Sequence, residues 1–61
     1  MDIREARIHA GLRVADVAEA MKVSSACVCQ WEAGDTKPRI EKLVKLAELF
    51  GVTVDELLKG A

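Results

Sequence analysis

The chain has 61 residues, of which 51% are hydrophobic and 31% charged, with a formal net charge of −1. A chain this short buries only about 60% of the surface its unfolded form exposes, which leaves room for one small core but not for a large catalytic pocket. No apolar run approaches the ~20 residues of a membrane span, and Asp2 and Arg4 speak against a signal peptide, so a cytoplasmic protein with no membrane association is expected.

Apolar residues recur at helical spacing almost throughout, and no segment alternates like a strand. A first helix is expected from Asp2 to about Ala10, with Ile3, Ala6, Arg7 and Ala10 on one face and Gly11 as its stop. Val14, Val17, Ala18 and Met21 have the i, i+3, i+4, i+7 spacing of a second helix, Val14 to Met21. Lys22-Val23-Ser24 is too short for anything but a tight turn, and Ser24 is a good N-cap for a third helix from Ser25 to about Ala33. Gly34 ends that helix, and Asp35-Thr36-Lys37-Pro38 reads as a loop. Pro38 suits the position just before or in the first turn of a fourth helix running to Phe50. The stripe of that helix is Ile40, Leu43, Val44, Ala47 and Phe50, widened by Leu46 and Leu49. Gly51 terminates it, and Thr53 with Glu56 three residues on forms a capping box for a short fifth helix, Val54 to Lys59. The expectation is an all-α fold of five helices in a single domain, residues 1–61.

The second and third helices, joined by three residues, must cross steeply and form a helix-turn-helix, with the third helix projecting from the body. By spacing, Cys27, Val28 and Trp31 face the core from the third helix, while Ser25, Ala26, Cys29, Gln30 and Ala33 form an outer face of small and polar residues. The charge distribution points to the same region. Lys22, Lys37, Arg39, Lys42 and Lys45 outweigh Glu32, Asp35 and Glu41, whereas both flanking segments are net acidic. An ordinary solvated face carries such a surplus too, and for Lys45 that plainer reading is preferred.

Cys27 and Cys29 invite a metal or redox account, but residues two apart on a helix are turned by about 200° from one another. They cannot share a metal or close a disulfide without unravelling the helix. Cys27 reads as a small core residue, and Cys29 as an exposed thiol open to oxidation or an intermolecular link. His9 stands alone, without a second ligand at useful spacing. Trp31 could stack on a nucleotide, but its pairing with Val28 on the inner face favours a core role. With no catalytic triad, metal cluster or glycine-rich phosphate loop in the sequence, neither an enzyme nor a cofactor is expected.

The order and spacing of several short motifs resemble one family. They are Ile3-Arg4-x-x-Arg7, Gly11-Leu12, Val17-Ala18, Val23-Ser24, Val28, Gln30-Trp31-Glu32-x-Gly34, Lys37-Pro38, Leu43-x-x-Leu46-Ala47 and Val52-x-Val54-Asp55-Glu56-Leu57-Leu58. No one of these is diagnostic, but together they resemble the lambda-repressor-like, Cro-type helix-turn-helix domains of bacterial and phage transcriptional regulators, the xenobiotic-response-element family. The likeness runs from Ile3 to Leu58. It implies sequence-specific binding to duplex DNA, normally as a homodimer on a two-fold-related operator, with the third helix in the major groove.

Carried over position by position, the resemblance implies base-facing roles for Ser25, Ala26, Cys29 and Gln30. Gln30 is the strongest reader, because its amide can pair bidentately with adenine or donate to guanine. Arg13, Lys37 and Arg39 match positions that contact phosphate, Lys42 could reach the same strand, and Lys22 could add a contact from the turn. Relatives commonly bury an Arg of the first helix against a Glu after the third, which implies a structural ion pair between Arg7 and Glu32. Leu57 and Leu58, near a chain end, are candidates for a dimer surface, with core closure as their alternative.

Four positions depart from the family pattern. Val14 replaces a frequent phosphate-binding Gln, Ala33 a frequent Asn, and Lys22 the small residue common in the turn, while Asp35 adds negative charge to the loop expected to approach DNA. The expected function is a DNA-binding transcriptional regulator, a repressor acting as a homodimer. The departures at Val14, Ala33 and Asp35, with the acidic overall balance, keep open an alternative: a protein-interaction module of antirepressor type, or an antitoxin-type regulator with a protein partner, on the same fold and with weak DNA binding.

Overall fold

A computed structural model describes residues 2–59. Its elements are α1 (Ile3–His9), α2 (Val14–Met21), α3 (Ser25–Ala33), α4 (Ile40–Phe50) and α5 (Val54–Lys59), with no strand among the described residues. Several helix boundaries have a local chemical cause. The Asp2 carboxylate accepts from Glu5 N–H at 2.8 Å and opens α1. Ser24 Oγ accepts from Cys27 N–H at 3.1 Å and opens α3, and Thr53 Oγ1 accepts from Glu56 N–H at 3.2 Å and opens α5. At the other ends, Gly34 and Gly51 take left-handed backbone with φ of 83° and 71°, a conformation that side chains with a Cβ resist.

Both ends of α1 lie one residue inside expectation, with Asp2 as its N-cap and Ala10 as its C-cap, while Pro38 falls just before α4, whose N-cap is Arg39 in extended backbone. The extended ψ of Arg39, 160°, keeps Pro38 and the loop out of the helical spiral.

Ile3, Ala6, Val17, Ala18, Met21, Val28, Trp31, Leu43, Leu46, Ala47, Phe50 and Leu57 form one buried cluster to which all five helices contribute. Leu46, Val17 and Val28 are fully enclosed. The apolar stripe of α4 is turned relative to the sequence expectation: Leu43, Leu46, Ala47 and Phe50 are buried, whereas Ile40 is 63% and Val44 42% exposed. With about 100° per residue, Ile40 and Val44 lie on the shoulder of a face centred between Leu43 and Phe50. The placement of α1, α2 and α5 against α4 decides which half of that wide stripe is covered.

The two α5 leucines divide between the alternatives expected of them: Leu57 is 2% exposed and closes the core, while Leu58 remains 49% exposed. Adjacent helical residues diverge by about 100°, so a short helix lying on the body buries one of them and presents the other.

Candidate nucleic-acid interface

The third helix is held at both ends. At its start, α2 ends on Lys22, whose backbone is left-handed at φ 58° and ψ 44°, and this sharp reversal leads within two residues to the Ser24 cap. Val23 N–H closes the turn on Ala18 C=O at 3.0 Å. The Lys42 ammonium, reaching from α4, donates to Met21 C=O at 3.4 Å. A cation at the C-terminus of α2 complements the helix dipole there. Its sequence-based role at phosphate therefore competes with an intramolecular partner.

At the far end of α3, Glu32 accepts from Arg7. The Arg7 Nε lies 2.7 Å from Glu32 Oε2 and Nη2 lies 3.4 Å from Oε1, while Nη1 donates to Leu12 C=O at 2.9 Å. The two side chains are only 14% and 11% exposed. One guanidinium thus joins α1, the α1–α2 connection and the end of α3, and its planar fork suits a bidentate contact of this kind.

Between these anchors Val28 and Trp31 are buried and Cys27 is half-buried, while Ser25, Ala26, Cys29, Gln30 and Ala33 all face solvent. Both cysteines are free thiols, and their divergent directions follow from helix geometry. Past Gly34 the chain folds back on α3, with Asp35 N–H donating to Gln30 C=O at 3.0 Å. Lys37 and Arg39 then stand exposed on a loop whose Pro38 is half-buried. The loop also exposes Asp35.

Arg13, the residue before α2, is exposed but partnered. Its backbone N–H donates to Asp16 Oδ2 at 2.9 Å, its Nε to the same oxygen at 3.3 Å, and its Nη2 to Oδ1 at 3.2 Å. These side-chain hydrogen bonds, followed by the backbone one, hold the Asp16 carboxyl below its ordinary pKa, and the same pairing raises that of Arg13. Val14, next in sequence, is half-buried and packs against the core. Asp16 and the Lys42 contact are the two features the sequence reading overlooked. An acidic residue three positions after a helix cap is a recognisable capping signal, so Asp16 could have been found. The Lys42 contact spans 21 residues and has no local signature.

Among the described residues, no group of three or more His, Cys, Asp or Glu is placed to hold a metal ion, and no helix is long and apolar enough to cross a membrane. Two short helices joined by a tight turn, the second presenting an uncovered face beside a basic loop, define a helix-turn-helix regulator. Residues 3–57 match the helix-turn-helix family model, and the chain belongs to this Cro/lambda-repressor-like family of transcriptional regulators. It is similar to the HTH-type transcriptional regulator DdrOP3 of Deinococcus deserti, 41% identical over 58 residues, a match covering 95% of this chain and 45% of that protein. It is also similar to the HTH-type transcriptional activator BcrR of Enterococcus faecalis, 34% identical over 58 residues, covering 95% of this chain and 28% of that protein. The chain spans less than half the length of these curated relatives.

Proposed function

We propose that residues 1–61 form one domain that binds duplex DNA sequence-specifically and regulates transcription as a homodimer on a two-fold-related operator. The observation that carries this reading is the solvent-facing set on α3 held from behind by the Arg7–Glu32 pair. Gln30 reads a base edge, Ser25 and Cys29 approach the groove, and Ala26 offers apolar contact to a thymine methyl. Lys37 and Arg39 hold the backbone, with Lys22 and Arg13 as further phosphate contacts. Lys42 remains a weaker member of that set, because its ammonium already serves Met21. Leu58 is the dimer candidate on α5.

Repression is the mode this domain supplies most simply, because occupying an operator needs only the DNA-binding face. Activation, the mode named for the Enterococcus faecalis relative, needs a further surface for the transcription machinery. The decisive experiment is selection of bound duplexes from a random pool, with oligomeric state measured alongside. A defined two-fold-related consensus and a steep fall of log affinity with log salt, about −0.9 per phosphate neutralised, support the reading. A flat salt response with no enriched sequence removes it.

The second reading, a protein-interaction or antitoxin-type module on the same fold, rests on Val14 turned into the core, Asp35 exposed on the basic loop, and Arg13 already paired. The same selection separates the protein-interaction module, which requires no consensus, while an antitoxin-type regulator is marked by a weak consensus that tightens when its protein partner is added.

A further inference from the structure

Arg13 enters the DNA-binding reading with its charge already engaged. Asp16 receives three hydrogen bonds from this one residue, one from the backbone and two from the guanidinium, at 2.9, 3.3 and 3.2 Å. The pair lies on the surface, so nothing in the core locks it. The next residue, Val14, is apolar and packs against the core, so it offers no polar group to compensate.

Resting on the DNA-binding reading, we propose that Asp16 is an internal competitor for phosphate, holding Arg13 in the free protein and setting how much of its charge the DNA backbone receives. A phosphate that approaches Arg13 meets a cation whose field the Asp16 carboxylate largely cancels, and it lies within a few ångströms of that carboxylate's own negative charge. For Arg13 to contact phosphate fully, it gives up the two guanidinium contacts with Asp16. The free energy of that exchange is the difference between two charge-assisted interactions, and it does not depend on base sequence. Asp16 thus lowers affinity for all duplexes alike, and base preference is left to the α3 face. Its role is a positioning one, exercised through Arg13.

The test is a double-mutant cycle of Asp16→Asn and Arg13→Ala. Asparagine retains an oxygen that can accept from Arg13 N–H, so the start of α2 keeps its cap, and thermal melts of all four proteins check that each folds. Fluorescence anisotropy across a salt series would use two probes, the duplex recovered from a random pool and a mixed-sequence duplex. Asp16→Asn is expected to bind both probes about two- to fivefold more tightly at low salt, in keeping with the worth of an exposed ion pair. Its log–log salt slope is expected to steepen by about one, as one more phosphate is neutralised. Arg13→Ala is expected to cost several-fold more in Asp16→Asn than in the natural background. Unchanged affinity in Asp16→Asn, or an equal cost of Arg13→Ala in both backgrounds, overturns the proposal while leaving the DNA reading in place. If neither the natural chain nor Asp16→Asn binds either probe, both fall together. Binding that emerges only in Asp16→Asn supports the proposal and explains weak binding by the natural chain.

Discussion

Arg7 Nε donates to Glu32 Oε2 at 2.7 Å, joining the first helix to the end of the third across 25 positions of sequence. With both side chains largely covered, removing either one strands a charge whose desolvation has already been incurred. Glu32→Ala is therefore expected to cost about 2–4 kcal/mol in urea unfolding, below the 3–5 kcal/mol of a fully buried pair because some solvent remains. Replacing both residues by apolar ones of similar volume should cost less than either single change. Additive single costs would show that the two residues do not act as a pair.

Base reading and backbone holding are assigned to different residues, which gives a second prediction. Gln30→Ala should relax preference at one base position by about 1–3 kcal/mol, seen as lost discrimination in competition binding. Lys37→Ala should weaken binding to every duplex and reduce the salt slope by about one. Identical profiles for the two variants would contradict the division of roles.

Leu57 and Leu58 should separate cleanly. Leu57→Ala empties a core site and is expected to destabilise the fold by about 2–5 kcal/mol. Leu58→Ser alters an exposed position, where a surface change moves stability by about 0.5 kcal/mol or less. If α5 forms the dimer contact, Leu58→Ser should shift sedimentation toward the monomer while leaving the monomer's melting unchanged.

The turn of the helix-turn-helix stores strain in Lys22, which holds φ at 58° where glycine has no steric penalty. Lys22→Gly is expected to stabilise the fold by about 0.5–1 kcal/mol and raise Tm by about 2–8 °C. If Lys22 also touches phosphate, the same variant binds DNA more weakly, so stability and affinity move in opposite directions.

Asp16 gives a pH dependence of determined sign. Its folded-state pKa lies below the ordinary value of 3.8, chiefly through the hydrogen bonds of Arg13. The pair's contribution is thus present above the unfolded pKa and lost as pH falls through the folded one. In urea unfolding at successive pH values below 3.8, Asp16→Asn should show a shallower acid-side loss than the natural chain. Superimposable acid limbs would mean that the pairing does not contribute in solution.

Much of this fold is written locally. Ser24, Gly34, Gly51 and Thr53 sit where caps and stops are needed, and α2, α3 and α5 have the bounds their spacing predicts. The candidate reading face was legible for the same reason: with Val28 and Trp31 demanded by the core, helix geometry turns Ser25, Ala26, Cys29 and Gln30 outward. The engagement of Arg13 escaped, because a residue type and a position do not state which partner its guanidinium prefers. The same holds for Lys42, whose partner at Met21 lies on another helix.

By itself, then, the sequence determined the helices, their order, the helix-turn-helix and the outward set on α3, because periodicity, caps and steric punctuation act over a few residues. Only the tertiary structure decided that Ile40 and Val44 stay exposed while Leu46 is enclosed, and that Leu57 rather than Leu58 closes the core. It also decided that Lys42 turns to the end of α2. Those outcomes depend on how helices approach one another, and a wide apolar stripe or a long flexible cation is compatible with several approaches until the whole core is packed.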